Sequence, residues 1–267
     1  MKTKIFLDSG DVNETKEIIR ILGFLDGQTT NPTLIAKNPE AKGRKFTKKE
    51  ITSFYQEVVK EISVLTLKGS VSVEVYADKD SKADDLFRQG REMFSWIPNA
   101  HIKYPITQAG LEAAQRSVKM GIRVNMTLCF NQEQAAAVYN ATFGAKKGDV
   151  FISPFVGRLD DKGKNGMDLI ENILRMYKKG DGHVQVVSAS VRNINHFLYS
   201  IKLGCDIITA PFKVLKEWAD AGMPTNLQPI PYEEISLEKP WQKYNISHAM
   251  TDAGIDRFAS DWNNLIG

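Results

Sequence analysis

Eight short β-type runs alternate with segments of helical periodicity along this chain, and that alternation limits the possible folds more than any other feature. The runs fall at 4–8, 27–31, 71–76, 101–105, 123–130, 149–155, 184–190 and 206–211. Between them apolar residues recur at helical spacing, as Ile18, Ile19 and Leu22 do, and Gly23, Gly121, Gly144 and Gly204 stand where helix stops are expected. Right-handed strand–helix–strand crossovers close into a barrel after eight units, and 267 residues is an ordinary length for one. An open doubly wound sheet is the competing layout, but no Gly-rich fingerprint opens a helix after any run. The chain therefore reads as α/β, a single (β/α)8 TIM barrel over residues 1–267.

The pattern changes after the eighth unit. "FKVLKEWADAG" (212–222) continues the helical rhythm, and 224–249 is then an extended connection with four prolines in its first 22 residues. A C-terminal helix over 250–267 is expected, opened by Thr251 as cap. Cys129 and Cys205 have neither metal-ligand nor redox spacing, which points to a reducing compartment. Asp8 interrupts the N-terminus before a signal-peptide core forms, and no apolar run approaches membrane-spanning length. A net charge of +3 is too small to argue for nucleic acid or a membrane surface. A cytoplasmic chain is expected.

Side chains alternate faces along a strand, so each run splits by parity. In the third run Val71, Val73 and Val75 oppose Ser72, Glu74 and Tyr76; in the fifth, Val124, Met126, Leu128 and Phe130 oppose Arg123, Asn125, Thr127 and Cys129. Barrel interiors are usually Val, Ile and Leu. Here the inward face offers Asp8, Asn31, Glu74, Lys103, Asn125, Thr127, Ser153 and Ser190, most of them late in their runs, where barrel active sites form. Tyr104 is expected to point outward.

Lys103, in "HIKYP", is the residue that most needs explaining. A lone strand lysine commonly snorkels or lies at an edge. Set among carboxylates in a desolvated pocket, it is instead a nucleophile toward carbonyls, and the resulting protonated imine is an electron sink for breaking an adjacent C–C bond. That cleavage needs a base for a hydroxyl proton, which Asp8 or Glu74 could supply. Each neighbour also has a plainer reading: Asp8 as a cap, Glu74 as a structural ion-pair partner, Asn31 in "TTNPT" as a turn residue. After the sixth run comes a Gly-rich loop carrying Arg158, which either binds phosphate or pairs with Asp160 or Asp161; Arg192, beside Ser190 at a helix start, is the second candidate for an anion. His183, His196 and His248 lack metal-site spacing, His101 is a face-mate of Lys103, and no metal is expected.

"FLDSG", "DGQTTNPTLIAK", "VSVEVYA", "HIKYP", "RVNMTLCF", "ISPFVGRLDDKGKNGMDLI", "VVSASVRN" and "TDAGIDRFASDW" together resemble the transaldolases, within them the small-transaldolase and fructose-6-phosphate aldolase subgroup. The resemblance runs from about residue 4 to 221 and resumes at 250–262. It implies a (β/α)8 barrel with a Schiff-base lysine at Lys103, a proton-transfer aspartate at Asp8, and a glutamate and threonine holding a catalytic water at Glu74 and Thr127. By the same resemblance Asn31, Asn125 and Ser153 meet the substrate hydroxyls, and Arg158, Ser190 and Arg192 bind its phosphate. Aldolases of the subgroup carry glutamine at the position of Glu74 and tyrosine at that of Phe155, so both residues here are of the transaldolase type. The implied reaction moves a dihydroxyacetone unit between sugar phosphates without metal or organic cofactor. The alternatives are an aldolase releasing free dihydroxyacetone and a sugar-phosphate-binding barrel without turnover. The resemblance also implies a homo-oligomer, a pentamer or decamer, with the 224–249 segment a departure that could alter it.

Overall fold

A computed structural model describes residues 3–215 and 231–266. Eight parallel strands close into a barrel in chain order: β1 (Lys4–Asp8), β2 (Gly27–Thr29), β3 (Ser70–Glu74), β4 (Ala100–Pro105), β5 (Val124–Cys129), β6 (Val150–Pro154), β7 (Val184–Ser188) and β8 (Ile207–Ala210). The surrounding helices are α1 (Val12–Leu22), α2 (Pro32–Ala36), α3 (Lys48–Leu65), α4 (Ala83–Phe94), α5 (Gln108–Lys119), α6 (Gln132–Ala141), α7 (Val156–Asp160), α8 (Gly166–Tyr177) and α9 (Ile194–Lys202), and α10 (Ala249–Asn263) comes last. The expected (β/α)8 barrel is the observed fold.

Parity divides the strands as expected over most of their length. Val71, Val73, Ile102, Val124 and Ile152 are buried against the helical layer. Tyr104 points outward, its hydroxyl 3.0 Å from Ser117 Oγ on α5. A Cβ at Gly90 on α4 would lie 1.7 Å from that hydroxyl, so only glycine lets α4 pack here. Inside, Phe6, Phe151, Val187 and Ile207 form a separate apolar cluster. His101 stacks on Phe151 at 3.9 Å and is held neutral by burial, its pKa pushed down to about 3, so that Nε2 donates to Gly148 O and Nδ1 accepts from Ser70 Oγ. This plug fills the interior on the N-terminal side, which leaves the polar residues at the C-terminal mouth.

Strand register brings the polar residues side by side. Glu74 pairs with Lys103, Lys103 with Asn125, Thr127 with Ser153, and Asp8 with Thr29. The alternation fails at one point on β5. Leu128 takes a left-handed backbone (φ 62°) and the register shifts between Thr127 and Cys129, so Leu128 and Cys129 do not continue the expected faces.

Three further expectations are corrected. The Gly-rich stretch after β6 contains a short helix, α7, so Arg158 is helical and not in a loop. β7 ends at Ser188, so Ser190 is not an inward strand residue but lies beyond the strand in a left-handed turn (φ 56°). The cap of the last helix is His248, whose Nδ1 accepts from Met250 N at 3.1 Å, while Thr251 lies within the first turn and its hydroxyl donates to Leu128 O at 2.9 Å. The helical segment expected after the eighth strand begins as a 3-10 turn at Phe212–Leu215, and its remainder, with the first part of the 224–249 connection, lies outside the described residues. From 231 onward that connection holds a single short 3-10 turn, Trp241–Lys243, and is tied to α6 through Gln132 with Glu233 and Asn140 with Trp241.

Candidate active site

The mouth of the barrel opens into a cavity of about 520 Å³. Lys103 Nζ lies on its wall, donating to Thr30 O at 3.1 Å and standing 2.9 Å from Glu74 Oε2. Both side chains of that pair are 3% exposed. At this distance the ammonium is both counter-ion and donor to Oε2, which has no other hydrogen-bond donor among the described residues. Burial raises the Glu74 carboxyl above its ordinary pKa, with Lys103 and Arg158 pulling the other way and Asp8 reinforcing the rise. Thr127 Oγ1, on the same part of the inward face, is buried with no hydrogen-bond partner among the described residues. That hydroxyl and the spare acceptor capacity of Glu74 call for a small polar partner such as water.

Asp8, at the end of β1, accepts from Thr29 Oγ1 at 2.7 Å, and Thr29 in turn lies 2.6 Å from Thr209 Oγ1. Its carboxyl is raised by burial, against the pull of Lys103 and the Thr29 hydrogen bond. Asn125 and Ser153 form a chain behind Lys103: Ser153 Oγ donates to Asn125 Oδ1 at 2.8 Å, and Asn125 Nδ2 donates to Ser72 Oγ at 3.0 Å. Asn31 lies beyond β2 and not on its inward face: it caps α2, accepting from Leu34 N at 2.9 Å, and lines the cavity from there. Pro32 at the first helical position explains why the chain turns here.

Cations gather at the outer end of the cavity. Arg158 lies against the rings of Phe155 (5.1 Å) and Phe258 (5.4 Å) and has no carboxylate partner within ion-pair distance among the described residues. The ion pair considered for it is made by Arg192, bidentate on Asp161, while Asp160 pairs with His196 at 2.6 Å. Ser190 reaches the cavity through its left-handed turn, and Gly157 permits that turn, since a Cβ there would lie 2.4 Å from Ser190 O and 2.5 Å from Arg192 Nε. Burial lowers the Arg158 pKa, yet guanidinium stays charged at any ordinary pH.

The cavity thus brings together Asp8, Asn31, Lys103, Ser153, Phe155, Arg158, Ser190 and Arg192. Glu74, Asn125 and Thr127 are fully buried and are not on its wall. Sequence reasoning did not find Thr29, Thr209, Lys37 or Arg257, which also line it. Strand parity could have singled out Thr29, two residues from Asn31. Arg257 lies on α10, and nothing in the sequence places that helix over the mouth.

The chain matches the family described as "Transaldolase/Fructose-6-phosphate aldolase" over residues 5–267. It belongs to that family. Among its relatives, one from Dehalococcoides mccartyi named "Probable transaldolase" is 36% identical over 262 residues, spanning 98% of this chain and 99% of the relative. Another from Thermoplasma volcanium, with the same name, is 37% identical over 262 residues, covering 98% and 96%. A solved structure from Roseiflexus sp., "Mandelate racemase/muconate lactonizing enzyme", superposes with a TM-score of 0.51 at 10% identity, over 78% of this chain and 55% of that one, a likeness of fold alone. The resemblance read from the motifs is therefore a family membership spanning nearly the whole chain.

Proposed function

We propose that this member of the family is a transaldolase that carries a dihydroxyacetone unit on Lys103. The observation that carries the reading is the buried Lys103 ammonium, backed by Glu74, on the wall of a cavity that has Asp8 at one side and Arg158 and Arg192 at its outer end. A ketose phosphate such as fructose 6-phosphate or sedoheptulose 7-phosphate fits that polarity, with its phosphate toward the arginines and its carbonyl toward the amine.

In this scheme Lys103 gives its proton to Glu74, the neutral Nζ attacks C2, and its remaining acidic proton passes to the former carbonyl oxygen. The carbinolamine loses water with the proton from Glu74, and the protonated imine withdraws electrons from the C3–C4 bond. Asp8 takes the C4 hydroxyl proton as that bond breaks, and an aldose phosphate leaves. Burial that raises the Asp8 carboxyl makes it a better base than an exposed aspartate. Glu74 and Thr127 hold the water of the imine steps, and Asn31 and Ser153 orient the hydroxyls, with Asn125 acting through Ser153, whose hydroxyl it holds. The enamine then attacks an acceptor aldehyde, and hydrolysis returns the amine.

Phe155 favours transfer over hydrolysis. Its ring lines the cavity between Phe130 and Arg158 and has no hydrogen bond to offer a water that would strand free dihydroxyacetone. The reading includes a cytoplasmic homo-oligomer, a pentamer or decamer. It is tested by glyceraldehyde 3-phosphate release from fructose 6-phosphate with and without erythrose 4-phosphate. Release that depends on the acceptor supports transaldolase, equal release without it means an aldolase, and none means a binding barrel.

A further inference from the structure

The Lys103–Glu74 pair separates two cavities. Lys103 lines the substrate cavity and Glu74 does not; Glu74 lines a second cavity of about 370 Å³, and Lys103 does not line that one. The second space lies between β3, α3, α4 and the last turn of α10, bounded by Thr52, Tyr76, Gln89, Met93 and Asn263. Its rim is polar, and Lys48 and Asn263 are exposed, so it reaches the surface away from the arginines. Asn263 Nδ2 donates to Tyr76 Oη at 3.2 Å across it. The inner end is the Glu74 carboxylate, whose Oε2 has no hydrogen-bond donor besides Lys103 among the described residues.

We infer that this second cavity is a water site and the route by which solvent water reaches Glu74 while a sugar phosphate occupies the main mouth. The inference rests on the imine chemistry proposed above. A ketose phosphate bound between Lys103 and the arginines stands between the imine and the mouth, yet each imine step must release or consume one water. In the forward step the protonated Glu74 carboxyl gives its proton to the carbinolamine hydroxyl, the C–O bond breaks, and the products are iminium, carboxylate and one water. Hydrolysis is the reverse, with the water adding to C2 and its proton returning to Glu74. The second cavity, with Met93, Trp262 and Ile266 among its walls but Thr52, Tyr76, Gln89 and Asn263 offering polar groups along it, ends on that same carboxylate, and it receives the leaving water and supplies the entering one.

The test uses the carbonyl oxygen as a tracer. Each cycle of imine formation and hydrolysis replaces the C2 oxygen of fructose 6-phosphate with one drawn from the water at Glu74. In oxygen-18 water the intact enzyme labels C2 during incubation with fructose 6-phosphate, above the uncatalysed background. Thr52→Trp, which fills the second cavity from the half-buried face of α3 and touches neither Lys103 nor Asp8, should lower that labelling about ten-fold relative to transfer to erythrose 4-phosphate, because the water released in one step is retained for the next. Asn263→Trp, from the α10 side, should do the same and serves if the first variant does not fold. Labelling and transfer in unchanged ratio in both variants, or falling together, would overturn the route. Absence of labelling by the intact enzyme, with no borohydride-trapped adduct, would overturn the imine reading beneath it.

Discussion

The ammonium of Lys103 stands 2.9 Å from the carboxylate of Glu74, and neither side chain is more than 3% exposed. Adjacent strands supply the pair through a direct register contact between β3 and β4. Desolvating two charges is costly, and such a pair seldom adds net stability over apolar residues of similar size. Its presence here fits the proposed imine chemistry. Glu74→Ala, which leaves a buried ammonium unpaired, should cost roughly 3–5 kcal/mol in urea unfolding, whereas Lys103→Met with Glu74→Leu should recover most of that loss. A double variant no more stable than Glu74→Ala would show that the pair contributes to the fold in its own right.

Asp8 makes a prediction whose sign depends on pH. Its carboxyl is raised by burial from an ordinary 3.8, so the folded chain holds that proton to higher pH than the unfolded chain. The favourable contribution is complete below the unfolded value and is lost as pH rises through the folded one. Asn at this position cannot titrate. The melting temperature of Asp8→Asn should therefore gain on that of the natural chain as pH rises from the ordinary aspartate value through the raised folded one. The acid limb of kcat should lie above the ordinary aspartate range, since the base must first lose its proton. A gap between the two melting curves that is independent of pH would contradict the assignment.

Of the two arginines proposed to hold the phosphate, Arg158 has no carboxylate partner among the described residues, whereas Arg192 already holds Asp161. Arg158→Ala should raise KM for fructose 6-phosphate roughly ten- to hundred-fold, the value of a charge-assisted hydrogen-bond pair. Fructose without phosphate should be far less affected. Equal losses for both substrates would mean that Arg158 does not read the phosphate.

Gly157 tests how the outer end of the cavity is built. A Cβ there would press on Ser190 O and Arg192 Nε, at 2.4 and 2.5 Å. Gly157→Ala should raise KM for phosphorylated substrates while the rate of Lys103 adduct formation with dihydroxyacetone stays near that of the natural chain. An unchanged KM would place phosphate binding elsewhere.

Phe155→Tyr puts a hydroxyl beside the enamine and should raise dihydroxyacetone release in the absence of acceptor, measured directly as free triose. No increase would remove Phe155 as the residue that favours transfer.

Much of this architecture is legible in the sequence because it depends on periodicity. Two-residue alternation brings Glu74, Lys103 and Asn125 to one face, and closure of the barrel makes that face an interior. What escaped depends on breaks in the period. Leu128 and Ser190 both take left-handed backbone, so face assignments that extend through them fail. Arg158 belongs to a helix of five residues, too short to show a repeat. The pairing of Asp161 with Arg192 joins segments whose meeting is set by how β6 and β7 end. Arg257 depends on where α10 docks, which is decided by contacts such as Thr251 with Leu128 O and Thr33 with Asp261. No local pattern encodes either contact.

Borohydride reduction in the presence of fructose 6-phosphate, followed by peptide mass mapping, tests the central claim most directly. A mass increase on the peptide containing Lys103, absent in Lys103→Met, is the predicted result. An adduct on another lysine, or acceptor-dependent transfer retained by Lys103→Met, would contradict it.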